Sequence, residues 1–116
     1  MELVSKCPDD FMIISGDDKM TYPIMSLGGV GVISVQAMAF PKLFSRMVNA
    51  CLQSEYDIAK KKHYELFKSV DLFYVDGNPA GIKEALRYKK ICNSSQVRLP
   101  LVRMNSDNAK KMHLLL

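Results

Sequence analysis

Two short apolar runs set the strongest limit on what this chain can fold into. Phe11-Met12-Ile13-Ile14-Ser15 lies between Pro8-Asp9-Asp10 and Gly16-Asp17-Asp18, and Val30 to Val35 follows Gly28-Gly29. Neither run alternates apolar with polar residues, so neither reads as a strand with one wet face. Continuous apolar runs of this length suit parallel strands covered on both sides. Met20 to Leu27, between them, reads as a short helix that Asp17 and Asp18 can cap and Gly28-Gly29 stops. Strand, helix and strand make a right-handed crossover unit. A parallel pair covered on both faces needs neighbouring strands at its edges. No third run of this kind occurs, so the pair is expected to belong to a larger α/β sheet or barrel, or to recruit strands from another copy.

The remainder reads as helix. Pro41 opens a segment at the one position where a missing N–H costs nothing, with Leu43, Phe44, Met47, Val48, Cys51 and Leu52 on one face. Tyr56, Ala59, His63, Leu66, Phe67 and Val70 repeat that spacing, and His63 within the stripe reads as a packed side chain. After a break at Asp76-Gly77-Asn78-Pro79, Ile82, Ala85, Leu86 and Lys89 form a third face. Asn93-Ser94-Ser95 is a loop, and residues 97–102 around Pro100 are extended. Ser106 is the expected N-cap of a last helix.

With 48% apolar and 24% charged residues, the chain is neither a disordered tail nor a polyelectrolyte. Residues 1–58 carry four basic and seven acidic side chains, and residues 59–116 carry twelve and five. The basic half permits an anionic partner, but runs such as Lys60-Lys61-Lys62 fit a solvated helical turn better. Nucleic acid is therefore not an expected partner. Cys7, Cys51 and Cys92 have neither disulfide-framework nor zinc spacing, which points to a reducing cytoplasm. His63 and His113 stand alone, so no metal site is expected. There is no signal-peptide pattern and no membrane span.

Four segments carry a resemblance to a known family. Ser15-Gly16-Asp17-Asp18 follows the first run, Gly28-Gly29-Val30-Gly31-Val32-Ile33-Ser34-Val35 contains the second, and Asn78-Pro79-Ala80-Gly81-Ile82-Lys83 and Val97-Arg98-Leu99-Pro100-Leu101 come later. Each is weak alone; four in order and in register are strong. Together they resemble the C-terminal part of the dihydrodipicolinate synthases, with Gly81 where that family usually has proline. The likeness implies the fold: α/β, the C-terminal part of a (β/α)8 TIM barrel, with two parallel strands and their helices, plus a C-terminal helical extension. On this reading residues 1–53 are the last βα units of the barrel and residues 54–116 the extension.

The resemblance also implies a chemistry. The family condenses pyruvate with aspartate semialdehyde through a lysine Schiff base, in lysine and diaminopimelate biosynthesis, and a tyrosine relays protons. The matching region starts after the sixth barrel strand, which bears that lysine. None of the twelve lysines here corresponds to it, so no catalytic residue is expected in this chain and it is expected to be inactive alone. Two substrate-binding contributions carry over, the backbone carbonyl of Ile33 and the backbone of Gly16. Gly16 and Val35-Gln36 stand at strand C-termini and are expected to face the pocket. Asp17 and Asp18 can be read as an acid/base pair, though capping accounts for them better. No cofactor is implied. The expected partners are the substrates of the full-length family, together with further copies or the remaining barrel half, in the cytoplasm. The chain then reads as a fragment, a truncated product or one piece of a split enzyme. Two alternatives stay open: a non-catalytic binding or assembly module, and another aldolase of the superfamily such as N-acetylneuraminate lyase. The GVISV and RLPL segments favour the synthase.

Overall fold

A computed structural model describes residues 2–116. The described elements run α1 (Glu2–Lys6), β1 (Ile14–Ser15), α2 (Thr21–Ser26), β2 (Gly31–Val32), a 3₁₀ turn (Gln36–Met38), α3 (Pro41–Leu52), α4 (Tyr56–Tyr74), α5 (Ala80–Tyr88) and α6 (Ser106–His113). The chain divides into two compact units, Met1–Leu66 and Phe67–Leu116.

In the first unit β1 and β2 pair in parallel, with Ile14 opposite Gly31 and Ser15 opposite Val32. Flanking hydrogen bonds extend the ladder. Val30 N–H donates to Ile13 O at 2.9 Å and Ile33 N–H to Ser15 O at 2.8 Å. The strands are shorter than the apolar runs that contain them, and the expected burial on both faces is not met. Phe11 is 60% exposed, Met12 71% and Ile33 79%. Phe11, Met12 and Ile33 fall outside the two-residue strands, and among the described residues no third strand adds a layer of side chains beside them.

Pro23 is tolerated in α2 because it falls in the first turn, where its nitrogen would have no partner within the helix. Gly28 then takes φ +108, a conformation costly for any residue with a Cβ. Pro41 does open α3. The first core joins Met25, Phe44, Met47, Ala50, Cys51, Ala59 and Leu66. Leu52, placed on the apolar stripe, is instead exposed, and Ala50 is buried. Ser54 ends the α3 turn at φ 60, where glycine is commoner.

In the second unit Val70, Phe73, Ala80, Ile82, Ala85, Met104 and Met112 are buried. Gly81 fits because a Cβ there would stand 2.5 Å from the Phe73 carbonyl oxygen. The cap of α6 is Asn105 rather than Ser106: its side chain accepts from Asp107 N–H. Asp76 reinforces this start, accepting from Asn105 N–H at 2.9 Å and from Asn108 Nδ2. Those bonds hold the Asp76 carboxyl below its ordinary pKa.

Candidate functional site

The C-terminal ends of β1 and β2 lie together because the strands are parallel and in register. After Ser15 and Val32 the next residues are Gly16 and Ile33, so the fold brings the two candidate contacts to one end of the sheet. Space beside Gly16 is open: a Cβ added there meets no atom within 4 Å. Ile33 projects a largely exposed side chain.

Behind these two positions lies a polar latch that tethers both strand-end loops. Ser15 Oγ donates to Asp17 O at 3.0 Å and accepts from Asp17 N–H at 3.2 Å. Thr21 Oγ1 lies within reach of both Asp17 O, at 2.8 Å, and Ser15 Oγ, at 3.3 Å. Ser15 and Thr21 are buried. The loop after β1 is thus folded back onto α2 through side chains short enough to bond their own backbone.

The two aspartates have separate tasks. Asp17 Oδ1 accepts from Met20 N–H at 2.9 Å, which caps the turn leading into α2. Asp18 does not cap. Its carboxylate is 5% exposed and Oδ2 accepts from Gln36 N–H at 2.9 Å, eighteen residues away. That bond joins the loop after β1 to the loop after β2. Neither aspartate is arranged as an acid/base pair.

Gln36 corrects a second expectation. It does not face a pocket at the strand ends: it is 1% exposed and its Nε2 donates to Leu66 O at 2.8 Å. A buried amide in such a place is costly unless bonded, so this contact fixes the 3₁₀ turn to α4. Ser34 Oγ accepts from Ala37 N–H at 2.8 Å and completes the loop. Sequence reading missed the bonds of Gln36 because their partners, Asp18 and Leu66, lie eighteen and thirty residues away. The one available signal was a glutamine directly after an otherwise apolar run.

His63 is packed as expected. It is stacked on Tyr22 at 5.4 Å between centroids, and burial pushes its pKa below the usual imidazole value. Burial likewise raises the Cys51 thiol, which makes it a poor nucleophile. A hub in the second unit escaped the sequence reading. Buried Glu84 accepts from Arg87 Nε at 3.1 Å and faces His113 Nε2 at 2.9 Å, and His113 is stacked on Tyr88 at 4.0 Å. Arg87, ahead of Ser95 and His113, holds the Glu84 carboxyl down to about 2 against the opposing effect of burial. Among the described residues no group of three or more His, Cys, Asp or Glu could hold a metal ion. No described helix is long and apolar enough to cross a membrane.

Paired parallel strands with loops gathered at their C-terminal ends, followed by a helical extension, define the class: the C-terminal part of a (β/α)8 barrel protein. The comparisons specify which one. The model of the dihydrodipicolinate synthetase family matches residues 1–116, and the chain belongs to that family. It is 43% identical over 114 residues to a 4-hydroxy-tetrahydrodipicolinate synthase of Flavobacterium psychrophilum, covering 98% of this chain and 39% of the relative. The crystal structure of dihydrodipicolinate synthase from Aquifex aeolicus superposes with TM-score 0.93 at 32% identity, covering 98% of this chain and 39% of that one. A chloride-inhibited dihydrodipicolinate synthase from Acinetobacter baumannii, described as complexed with pyruvate, superposes with TM-score 0.85 at 25% identity, covering 90% and 36%. The chain therefore spans about two-fifths of the length of the relatives it matches.

Proposed function

We propose that this chain supplies the last strands and the C-terminal extension of a 4-hydroxy-tetrahydrodipicolinate synthase, which condenses pyruvate with aspartate semialdehyde through a lysine Schiff base in cytoplasmic lysine and diaminopimelate biosynthesis. Residues 1–53 form the barrel part and residues 54–116 the extension. The observation that carries this reading is the juxtaposition of Gly16 and Ile33 at one end of the parallel pair, tied from behind by Asp18 and Gln36. The Ile33 carbonyl orients the amine of the Schiff-base lysine, and the Gly16 backbone lets pyruvate approach where a side chain would intrude.

That lysine comes from outside the residues present here. Lysine is absent from both described strands, and the lysines fall on helices or in turns. The working site thus needs strands beyond this pair, from the remaining barrel half, and homo-oligomers form from the completed barrels. Borohydride reduction in the presence of pyruvate, followed by mass spectrometry, tests the assignment. The expected result is no adduct and no condensation with the 116-residue chain, and a single lysine adduct on a longer chain or a mixture that includes the first six strands. Turnover of both substrates by the 116-residue chain would refute it.

A second reading, an assembly module without catalysis, is favoured by the exposed Phe11, Met12 and Ile33 around the open sheet. It predicts stable self-association, and no gain of activity when the first six strands are supplied.

A further inference from the structure

The second unit contains an open cavity of about 600 Å³ whose wall includes Lys83, Gln96, Val97, Arg98, Leu101 and Arg103. Among the described residues lining it none is acidic. Lys83 comes from α5, and the other five come from the extended segment before α6. That segment reverses through a turn in which Leu101 N–H donates to Arg98 O at 3.0 Å. The turn is what lets Arg98 and Arg103 border the same space as Lys83. Its far end is anchored by the Asp76 bonds to Asn105 and Asn108.

The three cations differ from several others in the chain. Lys6, Lys62, Arg87 and Lys110 each pair with a carboxylate three or four residues away. Lys83, Arg98 and Arg103 form no ion pair with any described residue. Arg103 also borders a neighbouring cavity of about 390 Å³ that includes Glu84. Glu84 is already engaged by Arg87 and His113, so it leaves the charge of Arg103 uncompensated. Three like charges around one cavity repel each other and raise its potential, and a bound anion relieves both effects. Two guanidinium forks match oxyanion geometry, the ammonium adds a third point of contact, and the Gln96 amide supplies a neutral donor. Val97 and Leu101 give an apolar wall for a short carbon skeleton.

We propose that this cavity is a binding site for a small multivalent oxyanion, held between Lys83, Arg98 and Arg103. The site lies on the second unit and is independent of the strand-end assignment, so either can fail alone.

Amide NMR titration of the 116-residue chain with pyrophosphate, and separately with citrate, at low ionic strength tests this, since the same spectra report folding. The expected result is saturable one-site binding, with shifts confined to the neighbourhood of Lys83 and residues 96–103. Arg98→Gln, Arg103→Gln and Lys83→Gln each weaken binding roughly tenfold, the loss expected for one charge-assisted contact. The double variant Lys60→Gln/Lys61→Gln, which removes two charges on α4, leaves affinity unchanged. Preference for pyrophosphate assigns a phosphoryl ligand, and preference for citrate a carboxylate one. The proposal is overturned if neither anion gives localised, saturable shifts, or if the α4 variant loses as much affinity as the cavity variants.

Discussion

Replacing Glu84 by glutamine isolates the charge at the centre of the second unit while keeping its shape. A carboxyl held at about 2 rather than at 4.5 corresponds to about 3 kcal/mol, at about 1.4 kcal/mol per tenfold change. The Arg87 side chain is 43% exposed, and solvent screening trims the figure to about 2 kcal/mol. The folded-state pKa is the depressed one, so this stabilisation is complete above pH 4.5 and is lost as pH falls through about 2. Urea unfolding followed by far-UV circular dichroism, on both proteins from pH 7 downwards, measures it. Wild type should exceed Glu84→Gln by about 2 kcal/mol at pH 7, and the gap should narrow steadily below pH 4.5. Asp76, whose carboxyl is bonded to Asn105 and Asn108 and not to Glu84, contributes alike in both proteins and cancels in the difference. A gap that stays constant from pH 7 to pH 3 refutes the argument, because it would mean that shape and not charge distinguishes the two side chains.

Three further outcomes follow from single contacts. Gln36→Leu removes the buried amide bond to the Leu66 carbonyl, and should cost about 0.5–1.5 kcal/mol in thermal or urea unfolding. Gly81→Ala drives a methyl against the Phe73 carbonyl and should destabilise by about 1–3 kcal/mol, despite alanine's better helix propensity; a rise in melting temperature would show that the α4–α5 approach relaxes freely. Asn105→Ala removes the α6 cap and should cost about 1 kcal/mol, read from the same unfolding curves and from faster amide exchange at Asp107.

What sequence reading recovers depends on distance along the chain. The parallel strand pair, the Pro41 helix start and most of the helical stripes rest on patterns within a few residues and appear in the structure, whereas Leu52, Tyr56 and Phe67 of those stripes are exposed. Strand burial was misjudged because it depends on what packs against the sheet and not on the runs themselves, and the described sheet has only two strands. The α6 cap moved by one residue because Asn105 and Ser106 are both competent caps, and the Asp76 bond to Asn105 N–H favours the earlier one. Asp17 could be read as a cap from its position alone. Asp18 could not be read as a tether, since its partner is eighteen residues away. Glu84 and His113 stand twenty-nine residues apart, and no local pattern in the sequence joins them.

The bond between Asp18 and Gln36 N–H has a consequence for assembly. Ordering a loop residue when a neighbour arrives costs about 1–2 kcal/mol of backbone entropy. Here the residues around Gly16 and Ile33 are already restrained by contacts internal to this chain. A strand or subunit that comes to lie beside the open sheet therefore meets a rigid template and does not have to organise two floppy loops, so more of the contact energy appears as affinity. Cutting that one bond should weaken the docking of such a strand, because the cost of ordering both loops then falls on the binding step.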